Sequence, residues 1–258
     1  MSLLSAALRL AAPLPQIESF SRFLFIGPHP DDIEIGAGAT AAKLTSLGKH
    51  VAFLICLDGR YGLENAPPGT TPEQLIEIRR KEARASAAAL GVSDVFFLEL
   101  SDGGFYREDD LLQGMARIIG QTKPELIFAP DPCVGSECHV DPLRVGRAAM
   151  QLAYFAPYEE IMRQYGAGKA PVEAIALYMT ARPSRYVKTS GFLDRQLDAV
   201  FTCHISQFPD GFADAKSISA YLRLRSIDFG IRSLKGCAEG FRVLGRTQMH
   251  CLPEADKK

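Results

Sequence analysis

Two short stretches hold most of the residues that could do chemistry. In "FIGPHPDDIEIGAG" (25–38), His29, Asp31 and Asp32 fall within four consecutive positions. In "DPCVGSECHVDP" (131–142), Asp131, His139 and Asp141 form a second group. A turn after a strand needs Gly, Pro or one Asp, so an imidazole beside two carboxylates asks for another reason. Imidazole and carboxylate are donors that suit a borderline metal such as zinc. His29 and Asp32, three apart at the start of a helix, can point at one centre. Asp31 can then face the open side and take a proton from water that the metal activates.

The elements that must position these groups alternate. Apolar runs at 22–27, 50–57, 94–100, 125–130 and 172–179 read as strands. Helical stretches at 36–49, 71–90, 109–121 and 141–155 separate them, and from about 191 the pattern turns mainly helical. Thr71, Pro72 and Gly91 are the start and stop signals of the second helix. Continuous apolar strands between helices predict an α/β fold with a mostly parallel sheet covered on both faces. Ligands of such a sheet sit beyond the carboxyl ends of the strands, where both groups fall. Asp58 and Arg60 follow the second strand there, and Ser101 and Asp102 the third. The long polar turn at 58–70 offers Arg60 or Tyr61 as pocket contacts.

The chain has 258 residues, enough to bury about three quarters of its unfolded surface without a staple. We read it as one domain over 1–258. A net charge of −1 gives no reason to expect nucleic acid or a membrane surface as partner. The six cysteines form no CxxC pair and read as reduced thiols in a cytoplasmic protein. No apolar run reaches the ~18 residues of a membrane span. The first 16 residues read as a lead-in helix in preference to a signal peptide, because Arg9 interrupts the apolar stretch.

Gly36, Gly38 and Ala41, with Asp58 twenty residues on, outline a dinucleotide fingerprint. The turn off the first strand is too long for it, and Asp31, Asp32 and Glu34 would repel a pyrophosphate at that helix start. The glycines are expected to let the helix pack closely on the sheet.

The motif "GPHPDDIEIGAGATAAKL" resembles the signature of the PIG-L/LmbE-like zinc-dependent N-acetyl sugar deacetylases. Further likeness lies in "RRKEARASAAALGV", "HVDPLRVGRAA", "HISQ" (204–207) and "CAEGFRV" (237–243), and it is nearest to the family's chitin-oligosaccharide deacetylase branch. The resemblance implies a Rossmann-like sheet and removal of acetate from an N-acetylglucosaminyl group. It implies His29 and Asp32 as the first two zinc ligands and Asp31 as general base. It makes His139 the imidazole that supports the oxyanion and protonates the amine, oriented by Asp141. Arg79 would contact the sugar, and His250 would reach a neighbouring subunit's site in a homo-oligomer. His204 reads as a capping or packing residue.

The chain departs from the resemblance at Pro142, which stands where the third zinc ligand belongs. Proline has no side-chain donor. Three readings stay open: a divalent metal held more weakly, with Cys133, Cys138, His139, Asp141 or water filling the gap; a metal-free sugar binder or structural homologue; or a change in this chain on an active background.

Overall fold

The computed structural model describes residues 7, 8, 10–209, 213–250 and 252. Of the expected lead-in helix, residues 7, 8, 10 and 11 are helical, and the rest of its first nine residues lie outside the described ones. Seven strands form one sheet: β1 (Arg22–Gly27), β2 (His50–Leu57), β3 (Asp94–Leu100), β4 (Leu126–Pro130), β5 (Ala174–Tyr178), β6 (Arg185–Lys188) and β7 (Ala238–Gly245). The order across the sheet is β3-β2-β1-β4-β5-β7-β6. The first five are parallel, and β7 runs antiparallel to both β5 and β6. No helix among the described residues is long and apolar enough to cross a membrane.

Alternation along β1 sorts the core into two layers. Phe23 and Phe25 face one way with Phe53 and Phe128, and Leu24 and Ile26 face the other with Leu54 and Ile127. Phe25 of β1 stacks on Phe128 of β4 at 4.0 Å between ring centres, so the two strands that carry the site loops are locked together. The first layer is closed by α1 (Asp32–Ser46), α2 (Pro72–Ala89) and α6 (Leu193–Cys203). The second is closed by α3 (Glu108–Thr122), α4 (Val140–Phe155) and α5 (Glu159–Gln164). A last helix, α7 (Ala213–Ser233), packs on β6 and β7.

The chain builds β1, β2 and β3 in one direction, then returns to place β4 on the other side of β1. The strand order reverses there, the point where an open α/β sheet forms its ligand crevice outside the carboxyl ends of the strands, here β1 and β4. From 191 the chain is mainly helical, as expected, with α6 and α7. Strands β6 and β7 were not among the expected elements, and α1 begins at Asp32, before the expected 36. The earlier start places Asp32 and Glu34 in the helix's first turn, where its free N–H groups favour negative charge. Gly36 has the expected packing role: a Cβ there would lie 2.3 Å from the Tyr178 ring.

Candidate metal and hydrolase site

Asp31 ends the β1 loop at the N-cap of α1 with φ 117 and ψ −27. A non-glycine residue in this region costs about 1–3 kcal/mol and persists only when its surroundings hold it. Arg79 of α2 does much of the holding. Its guanidinium donates to Asp31 Oδ2 at 3.2 Å, to the Pro30 carbonyl at 2.7 Å and to the Gly59 carbonyl at 3.1 Å. Arg79 is 4% exposed. Its guanidinium is thus turned to Asp31 and two backbone carbonyls, where the resemblance implied a sugar contact. Burial pushes the Asp31 carboxyl up to about 6, and the Arg79 charge pulls against that rise.

His29 is gripped on both edges of its ring. Nδ1 lies 3.1 Å from Asp32 Oδ2, which also accepts the His29 backbone N–H at 2.8 Å. Nε2 lies 3.0 Å from Asp141 Oδ2. Burial pulls the ring's pKa down, but the Asp141 and Asp32 carboxylates outweigh it and push it up to about 10. Without a metal the ring is thus an imidazolium between two carboxylates, and a cation would have to displace its proton. The Asp32 carboxyl is raised by burial, but its bonds to His29 prevail and hold it below the usual range.

Asp141 comes from the first turn of α4 and is fully buried. It accepts backbone N–H groups from Gly103 at 2.7 Å and Gly104 at 2.9 Å in the loop after β3. Burial raises its carboxyl, and the bonds from His29 and Gly103 overcome that and keep it ionised. Its direct imidazole partner is His29. His139, which the resemblance paired with it, stands further off at 3.8 Å. His139 is the N-cap of α4, and its Nδ1 accepts the Asp141 N–H in a long bond of 3.3 Å. Its ring is 5.1 Å from that of His29, centre to centre, and 53% of its side chain is exposed.

His29, His139 and Asp141 each bring a ligand atom within 4.8 Å of the others, a group that could hold a metal ion. The donors grouped here differ from the expected pair of His29 and Asp32. Asp32 bonds the far edge of His29 and falls outside the group. Pro142 offers no donor in the first turn of α4, and His139, one residue before that helix, lies beside His29. Two imidazoles and a carboxylate fit a divalent cation.

The remaining candidates lie elsewhere. Cys133 and Cys138 are exposed and outside the group. Asp131 is a latch: it takes Thr180 Oγ1 at 2.6 Å, the Cys133 N–H at 3.0 Å and Arg242 Nη1 at 3.3 Å. His250 stacks on Tyr154 at the far end of α4 from His139, so it does not join the site of its own chain. His204 is fully buried, as a packing residue should be, with Nε2 3.3 Å from Glu34 Oε1, which also accepts from Ser86. The sequence reading missed the Gly103–Gly104 cradle. The signal was available: a Gly-Gly pair in the short loop after a strand, both of positive φ here, suits backbone N–H groups turned toward an anion.

The family model "PIG-L: GlcNAc-PI de-N-acetylase" matches residues 24–153, a span that includes both site loops. A diacetylchitobiose deacetylase of Thermococcus kodakarensis is 30% identical over 237 residues, covering 91% of this chain and 87% of that protein. A 1D-myo-inositol 2-acetamido-2-deoxy-alpha-D-glucopyranoside deacetylase of Kineococcus radiotolerans is 28% identical, covering 69% of this chain and 56% of that one. Among solved structures, the N,N'-diacetylchitobiose deacetylase of Pyrococcus horikoshii superposes with a TM-score of 0.86 at 27% identity, over 98% of this chain and 97% of its own. With the match running through both loops of the crevice, and a relative alike along nine-tenths of its length, the chain belongs to the PIG-L family.

Proposed function

We propose that the protein is a metal-dependent amide hydrolase that releases acetate from N-acetylglucosaminyl-type sugars, with zinc as the divalent cation. The observation that carries this reading is the convergence of His29, His139 and Asp141 beside a strained carboxylate that burial has raised to about 6. His29, His139 and Asp141 hold the cation, and His139 takes the place that Pro142 leaves without a donor. Asp32, on the other ring nitrogen, fixes the tautomer and orientation of His29, as outer carboxylates commonly do for ligating histidines. The cation supplies Lewis-acid polarisation of the acetamide carbonyl and brings water ionisation into the neutral range. Asp31, ionised at neutral pH, takes the proton of the attacking water. It returns a proton to the sugar nitrogen as the C–N bond breaks, and a carboxyl near 6 can serve both directions. Arg79 keeps Asp31 in place through both transfers.

The relatives' printed names, deacetylases of diacetylchitobiose and of an acetamido-glucopyranoside, support this substrate class. The five cysteines among the described residues are free, which supports a cytoplasmic setting. We propose a homo-oligomer, in which His250 acts on a neighbouring copy's site.

The test is metal analysis of the purified protein together with acetate release from N-acetylglucosamine and its β-linked disaccharide. The reading expects one divalent ion per chain and stoichiometric acetate, both lost on chelation. Protein that binds the sugars but carries no metal and releases no acetate would be the non-catalytic homologue instead.

A further inference from the structure

Two aromatic side chains stand in solvent at the edge of the crevice. Tyr61, in the loop after β2, is 54% exposed, and Phe105, in the loop after β3, is 74% exposed. Their rings meet edge to face at 5.9 Å between centres. Scattered exposed apolar residues need no explanation, but this pair is built into the site's own scaffold. The Tyr61 N–H donates to Asp102 Oδ2 at 3.3 Å, which ties the two loops together. Phe105 directly follows Gly103 and Gly104, whose N–H groups hold the Asp141 carboxylate. A Cβ at Gly103 would lie 3.2 Å from the Phe105 ring and 3.7 Å from the Tyr61 ring, so the backbone beneath the pair is closely packed. Arg144 of α4 donates to the Gly104 carbonyl at 3.1 Å and braces the same loop.

Phe105 is therefore one residue along the chain from Gly104, whose N–H holds the Asp141 carboxylate at 2.9 Å, and consecutive Cα atoms are ~3.8 Å apart. It lies beside whatever occupies the crevice. We infer that Tyr61 and Phe105 are the platform for the sugar ring adjoining the N-acetylated one, and that they make the protein prefer a disaccharide or longer glycoside over the free monosaccharide. A pyranose presents a face of C–H groups that lies well on an aromatic ring, while its hydroxyls point outward to water. Exposed aromatics beside convergent polar groups are what such a surface requires. This inference rests on the proposed deacetylase reading and adds to it a subsite and a substrate length.

The experiment compares kcat/KM for acetate release from the β-linked disaccharide and from N-acetylglucosamine in the parent, Phe105→Ala, Tyr61→Ala and Phe105→Tyr. Both side chains are largely in solvent, so thermal unfolding should show the variants folded. The preference for the disaccharide should fall roughly three- to tenfold in each alanine variant, the size of an aromatic contact. It should enter through KM and be retained in Phe105→Tyr. An unaltered preference in both alanine variants would overturn the platform while leaving the deacetylase reading intact. If the parent released acetate from neither sugar, the deacetylase reading would fail first. Calorimetric titration with the disaccharide would then decide the platform, since equal affinity of the parent and Phe105→Ala, or no binding to either, overturns it.

Discussion

The two loops that meet in the crevice are built differently. The β1 loop is short and held from every side. Arg79 grips Asp31 and the Pro30 carbonyl, Asp32 grips His29 through backbone and ring, and Asp31 keeps a strained backbone. The β4 loop is long and touches the site with one buried residue, Asp141, and one exposed residue, His139. The His139 ring makes a 3.3 Å cap bond and meets the His29 ring, and its backbone N–H donates to Glu137 Oε1 at 2.8 Å. The difference teaches how the chain tolerates Pro142. The rigid loop holds Asp31 and one edge of the His29 ring, and Asp141 holds the other edge. The looser loop can bring its histidine in from the N-cap of α4, leaving proline in the first turn, where a missing N–H costs little.

The largest effect should come from breaking the rigid side. Asp31→Asn should lower turnover by ~10²–10⁴-fold, as loss of a general base does, with the metal content kept. Asparagine tolerates positive φ, so the fold should survive, and acetate release alongside metal analysis checks both halves. Arg79→Ala comes next. It strands Asp31 and two carbonyls without their cation, and should cost about 3 kcal/mol in denaturant unfolding, as breaking a buried pair does. Turnover should fall less than in Asp31→Asn, because the carboxylate remains.

The looser side should respond to Pro142→His in the opposite direction. An imidazole in the first turn of α4 adds a donor at the place where the resemblance implies one. It should tighten zinc binding by about tenfold or more in a competition titration, and change stability by under ~1 kcal/mol.

The smallest effect lies behind both loops. α1 is broken at Ala37, with φ −154 and ψ 18, and the helix that restarts there is capped by Glu239 of β7. That carboxyl accepts the Thr40 N–H at 2.7 Å and the Ala39 N–H at 3.3 Å. Burial raises it from 4.5 to about 7, against the pull of those bonds. A carboxyl raised in the folded state binds its proton more tightly there than in the unfolded chain. Its stabilising share is thus fully present below 4.5 and is lost as pH rises to about 7. Glu239→Gln should flatten this part of the stability profile, by on the order of 2 kcal/mol, as followed by unfolding across the same window.

The same contrast marks what could be read from the sequence. Five parallel strands were legible because they are mostly apolar runs, four of them buried along nearly their whole length, and "PHPDD" was legible because three titratable groups crowd one turn. β6 and β7 were not. "RYVK" is four residues with a charge at each end, and "AEGFRVLG" carries Glu239 and Arg242, whose partners, the N–H groups of 39 and 40 and the Asp131 carboxylate, are remote in sequence. Arg79 could be picked out by resemblance, but its bond to Asp31 depends on how α2 crosses the β1 loop. Pro142 could be picked out by resemblance as a position without the expected donor. Which residue stands in for it depends on the direction of a loop, and periodicity does not encode that direction.

The central claim is that His139 replaces the missing donor. Parent protein and His139→Ala would each be stripped of metal, reloaded with zinc, dialysed, and measured for zinc per chain by elemental analysis. The account predicts about one ion per chain in the parent and a loss of most of it in His139→Ala, where only His29 and Asp141 remain of the group. A His139→Ala protein that retains zinc as the parent does, with only its turnover lost, would contradict the account and return His139 to the role of proton donor.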